Sequence, residues 1–236
     1  TTPAFLEKRF DKTTRSMVSG LFLFGYVTVL LPVVLYTGSL ALKGMFDLEY
    51  PIWVIAGTIG LLGSSYAIFG GLKSVAVSDT LNGVGLLIGG LAIPALALAK
   101  LGGGSFAEGI SILFNSKPEY LAVLTKTNID NKVVSVPWPT LLTGMMFIQV
   151  FYWSTNQVIV QRAMAAKSLA EGQKGVLFAS GMKLIGPIML CLPGIIALHM
   201  SDVLSITKQD QVYGAVVRHV LPDWSIGLFA AVLLGS

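Results

Sequence analysis

Apolar runs about as long as a bilayer is thick recur along this chain, at about Met17–Leu42, Pro51–Phe69, Val75–Ala99, Thr140–Val160 and Gly175–Met200. A helix needs roughly 20 mostly apolar residues to cross the hydrocarbon core. Lipid offers the backbone no hydrogen-bond partner, so only helices and closed barrels span it. A further apolar run, Gly227–Ser236, covers about half that length. The expectation is an all-α integral membrane protein of about five full transmembrane helices plus the start of a sixth, multi-pass in the cell membrane. Residues 1–10, TTPAFLEKRF, lack the apolar core of a signal peptide, so the sequence is read as an internal portion of a longer chain.

Composition agrees. The chain is 54% hydrophobic and only 12% charged, against roughly 25% charged in soluble domains, and a soluble core has no room for that excess. The net charge of +4 does not indicate nucleic acid, because the basic residues sit beside apolar spans, where the positive-inside rule puts them. Lys8, Arg9, Lys12 and Arg15 precede the first span, Lys73 lies in the link 72–78, and Arg162, Lys167 and Lys174 follow the fourth. All three segments are expected on the cytoplasmic side. The single Cys191 is read as a small buried hydrophobe.

The fourth span is interrupted. Within FIQVFYWSTNQVIVQR, Phe147–Arg162, four polar residues stand in a row, Ser154, Thr155, Asn156 and Gln157. Each unpaired polar group in hydrocarbon costs several kcal/mol, roughly, so the segment is expected to face an interior. Tyr152 and Trp153 just ahead suit an aromatic wall beside a polar cavity, although aromatic belts at the membrane surface are the commoner use of such residues. Gln149 shares a face with Trp153 by i, i+4 spacing.

Lys183 lies about eight residues inside the fifth span, where an ammonium costs at least ~2.5–3.5 kcal/mol. It either snorkels to the interface or faces a wet cavity and donates to solute hydroxyls. Asp79 is either a solvated helix cap or a carboxylate on an ion path. His199 and His219 have no metal-ligand partners at suitable spacing and are read as surface residues. No nucleophile elbow, phosphate loop or metalloprotease pattern occurs, so an enzyme is not expected.

Several segments carry a resemblance. YWSTNQVIVQRAMAAKSLAEGQKG (Tyr152–Gly175), FLEKRF (Phe5–Phe10), YAIFGGLKSVAVSDTLNG (Tyr66–Gly83) and KLIGPIMLCLPG (Lys183–Gly194) together resemble the solute:sodium symporter family, nearest its sodium/glucose cotransporter branch. The resemblance implies a leucine-transporter-like fold of two inverted repeats with a mid-membrane site. Residues 1–100 would be the latter part of the first repeat, 101–138 an extracellular connection, and 139–236 the first part of the second.

It further implies a sugar site at Gln149, Trp153 and Lys183 with Tyr152 as inner gate. Ser236 would be a backbone-carbonyl ligand of a sodium ion, and Asp79 would lie on the sodium exit path. The implied function is sodium-coupled symport of a hexose such as glucose or galactose by alternating access. The alternatives are symport of myo-inositol, a carboxylate or an amino acid, and a non-transporting sugar sensor. The implied partners are the sugar, sodium and the lipid bilayer.

Overall fold

The computed structural model describes residues 1–116, 118–121, 128–129, 132–133, 138–200, 204 and 209–235. In chain order its α-helices are α1 (Thr2–Arg9), α2 (Lys12–Gly25), α3 (Leu31–Phe46), α4 (Ile52–Leu101), α5 (Phe106–Ser116), α6 (Gly144–Ser154), α7 (Gln157–Met164), α8 (Leu169–Lys183), α9 (Gly186–His199), α10 (Val212–Val220) and α11 (Asp223–Gly235). A short antiparallel hairpin pairs Asn128 with Val133 and Ile129 with Lys132. The chain forms two compact units, one from Thr1–Tyr26 and Lys117–Leu184, the other from Val27–Ser116 and Ile185–Ser236.

Among the described residues three stretches are long and apolar enough to cross a membrane, Lys12–Phe46, Ala67–Leu101 and Leu169–His199, and the apolar helices Ile52–Ser65 and Asp223–Gly235 are shorter. They match the expected first, third, fifth, second and sixth spans. Apolar side chains along them point outward, as at Leu21, Phe24, Val29, Ile68 and Leu177, the arrangement of a chain solvated by hydrocarbon. Apolarity therefore does not mean burial here: Cys191, expected to be buried, is exposed. His199, expected on the surface, is half-buried in α9, with Nδ1 on the Ile195 carbonyl at 3.1 Å.

Proline and glycine mark two of the places where helical geometry changes. In regular α geometry the ring of Pro32 would collide with the carbonyl four residues back; the turn ahead of it, Tyr26–Leu30, is instead a wider π-turn. Before it, the Asp11 side chain caps α2 by accepting from the Thr14 backbone N–H at 2.7 Å. That bond holds its carboxyl below the ordinary carboxylate range. The link expected over residues 72–78 shrinks to one residue. Helix α4 runs on through it, broken only at Gly71 with φ 60° and ψ −167°, a region open essentially to glycine alone.

In the unit that contains α4, small residues let helices approach closely around a core that includes Met45, Ile93, Ile196 and Val217. A Cβ on Gly44 of α3 would meet the Gly214 backbone of α10 at 3.2 Å. Along α4, Gly85 faces Val232, Gly89 faces Phe229 and Gly90 faces Met189, whereas Gly83 faces open space. Pro193 is buried within α9.

Gly71→Ala should lower stability by about 1–3 kcal/mol, read as a lower melting temperature in detergent. Gly57→Ala in the same helix, with nothing within 4 Å of the added methyl, should leave it unchanged or slightly raised. Equal losses would show that the backbone at Gly71 is not the cause.

Candidate functional site

The interruption in the fourth span is a helix break. Helix α6 ends at Ser154, and the Phe151 carbonyl in its last turn accepts from the backbone N–H groups of Thr155 (2.9 Å) and Asn156 (3.0 Å) and from the Thr155 hydroxyl (2.9 Å). Asn156 starts α7. It is buried, and its Oδ1 accepts from the Val158 backbone N–H at 2.9 Å and from the Tyr26 hydroxyl at 3.3 Å. The Tyr26 oxygen in turn accepts from the Gln157 backbone N–H at 3.1 Å, and the Thr2 hydroxyl donates to the Thr155 carbonyl at 3.2 Å. The bonds to the Val158 and Gln157 N–H groups and to the Thr155 carbonyl satisfy backbone groups that the break leaves without a helical partner.

The aromatic pair on the last turn of α6 is fixed by that geometry. Tyr152 and Trp153 meet edge to face, 81° between planes and 5.6 Å between centroids. Lys183, the last residue of α8, places Nζ 4.5 Å from the Tyr152 centroid and 4.9 Å from that of Trp153. An ammonium over two rings is held by their negative faces, and its three donors leave it free to bond oxygen as well. All three residues line a cavity of about 400 Å³. It offers two rings, the Lys183 cation and, from α7 and α8, Arg162 and Glu171.

Of the sequence-derived candidates, the structure brings together Tyr152, Trp153 and Lys183. Gln149 is exposed, one turn earlier on α6, and is not among the residues lining that cavity. Asp79 is half-buried on α4, and Ser236 lies outside the described residues. Of the polar run, Thr155 and Asn156 close the break, Gln157 opens α7, and Ser154 is exposed.

Sequence reasoning missed four residues. Arg162, read from sequence only as a cytoplasmic charge, and Glu171, which the sequence does not single out, both line the cavity, Arg162 donating to the Val158 carbonyl at 3.1 Å and Glu171 accepting from Lys174 at 3.0 Å. Tyr26 gave no signal beyond an aromatic in an apolar run. Asn82, one turn after Asp79, donates to the Ser78 hydroxyl at 3.1 Å and to the Gly235 carbonyl at the end of α11. Asn82 lies three and seven residues before Gly85 and Gly89 on α4, and only the fold shows what that face meets. No cluster of three His, Cys, Asp or Glu able to hold a metal occurs among the described residues.

Asn156→Ala removes a cap and should cost about 0.5–2 kcal/mol. Tyr26→Phe also destabilises, and the double variant should lose less than the sum, because the two share one hydrogen bond. Thermal melts of the four proteins check this; strict additivity would mean that the Tyr26–Asn156 bond carries nothing.

The model of the sodium:solute symporter family matches residues 1–236. The chain is 42% identical over 244 residues to an Escherichia coli K12 protein named uncharacterized symporter YidK, covering 100% of this chain and 42% of that protein. It is 34% identical over 200 residues to the sodium/glucose cotransporter of Vibrio parahaemolyticus, with 84% and 36% covered. Against the mouse sodium/myo-inositol cotransporter 2 the identity is 29% over 271 residues, with 100% and 38% covered. The chain thus spans about two fifths of the length of the curated relatives it matches. With a family match running from its first residue to its last, this multi-pass membrane chain belongs to the sodium:solute symporter family.

Proposed function

We propose that the whole protein carries a sugar across the membrane in symport with sodium by alternating access, and that Tyr152, Trp153 and Lys183 contact the sugar. The observation that carries this reading is the Lys183 ammonium set 4.5 and 4.9 Å over two rings at a cavity of about 400 Å³. Ring faces stack on the C–H side of a sugar, and the ammonium donates to its hydroxyls. The solutes named for two relatives, glucose and myo-inositol, are both six-membered rings bearing hydroxyls, which supports a solute of that class.

Sodium is the co-transported ion in this reading, consistent with the family and with the relatives' names. Its descent through 100 mV releases about 2.3 kcal/mol, enough for roughly a fiftyfold accumulation of a neutral solute. Asp79 and the Ser236 carbonyl belong to its path by family likeness. So does the division into repeat segments 1–100 and 139–236 about the connection 101–138, and so does Gln149 as a sugar contact reached in another state of the cycle. A second reading, a solute bearing a carboxylate, draws on Arg162, which adds a second cation to the lining.

Uptake of labelled hexose by the whole transporter in proteoliposomes should require sodium; uptake unchanged when choline replaces sodium would overturn symport. Lys183→Ala should raise the KM for sugar at least about tenfold, since a hydrogen bond to a charged group contributes about 1.5–3 kcal/mol. An unaltered KM would return Lys183 to a snorkelling role. Competition by unlabelled hexose, myo-inositol and a sugar acid separates the solute classes.

A further inference from the structure

A second cavity, of about 320 Å³, lies in the same compact unit as the Tyr152–Lys183 site. Arg15, Ser19, Phe22 and Tyr26 of α2 and its π-turn line it, together with Gln157 at the start of α7. Its chemistry parallels that of the first: an aromatic face, with Phe22 and Tyr26 6.2 Å apart, beside a guanidinium, a hydroxyl and a carboxamide. The Arg15 guanidinium is oriented by Glu7 at 2.6 Å.

Gln157 distinguishes this cavity from an incidental gap. Its backbone N–H is satisfied by the Tyr26 oxygen, whose own proton goes to Asn156. Its side-chain Oε1, by contrast, is buried and has no hydrogen-bond partner. A buried amide oxygen left without a donor is costly, and a ligand hydroxyl that reached it would remove the deficit.

Tyr152 and Gln157 flank the break between α6 and α7, so the first cavity takes Tyr152 from one side of the break and the second takes Gln157 from the other. Arg15 belongs to the basic segment that the positive-inside rule assigns to the cytoplasm. We propose that the Arg15–Ser19–Tyr26–Gln157 cavity is a second, cytoplasm-facing subsite for the same polyhydroxyl solute, occupied on its way in or out, with the Gln157 carboxamide accepting from a solute hydroxyl. The inference rests on the symport reading for the solute's identity.

The test is transport of labelled hexose by the whole transporter in proteoliposomes sorted by orientation. Gln157→Leu should raise the KM measured from the cytoplasmic face by up to about tenfold, the loss of one hydrogen bond, and leave the KM from the opposite face unchanged. Gln157→Glu, which keeps an acceptor oxygen, should stay near wild type. Ser19→Leu fills the cavity from α2 without touching the helix break, and should raise the same cytoplasmic KM even if Gln157→Leu fails to fold. An unchanged cytoplasmic KM in Gln157→Leu and Ser19→Leu, or an equal change on both faces, overturns the subsite. Wild-type uptake that ignores sodium overturns the symport reading instead, and orientation-dependent KM shifts seen without sodium would leave the subsite standing.

Discussion

A backbone that leaves helical geometry inside hydrocarbon must find partners for every N–H and C=O it frees, because no water is there to take them. The structure turns on how this is done at the end of α6. One carbonyl, that of Phe151, gathers three donors, and one side chain, Asn156, accepts from two. Tyr26 finishes the work from a distance of 130 residues in sequence by giving its proton to Asn156 and its oxygen to Gln157. The other breaks are cheaper. At Gly71 a single residue changes conformation, and ahead of Pro32 the helix only widens.

A charge in such a setting obeys the same accounting. An ammonium within a membrane helix costs at least ~2.5–3.5 kcal/mol, yet Lys183 can stand there because α8 stops at it and two rings lie within 5 Å of its Nζ. Cation–π attraction of about 0.5–2 kcal/mol per ring offsets part of the cost without consuming a hydrogen-bond donor. A lysine paired with a carboxylate would be more comfortable and less available to a neutral solute.

Much of this was legible in the sequence, for reasons specific to membranes. Span number and position follow from length and apolarity, the one property lipid selects for, so Lys12–Phe46 and Leu169–His199 fall where the runs predict. Tyr152, Trp153 and Lys183 stand out in the sequence because polar or charged residues inside a span demand an explanation, and the fold brings the three side chains together. Burial was not legible: in lipid an apolar residue gains nothing by turning inward, and Cys191 turns out. The part Arg162 and Glu171 take in the cavity lining was not legible either, since charges near a span end carry no mark of what they will face. Tyr26 and Asn82 were invisible because their roles consist of hydrogen bonds to residues 130 and 153 positions away.

The capped break and the aromatic pair are parts of one device. On a helix each residue adds a turn of about 100°, so extending α6 by a single residue through the break would swing everything beyond it by that angle. Gln157 and Arg162 would leave their present faces while Tyr152 and Trp153 stayed. The cavity needs Trp153 from before the break and Arg162 from after it, so its lining exists only while Thr155 and Asn156 remain outside both helices. The polar run therefore contributes to the site without lining this cavity. Ser154–Thr155–Asn156 sets the angle at which two short helices present a common wall, and the Tyr26 hydroxyl keeps that angle from relaxing into one continuous span.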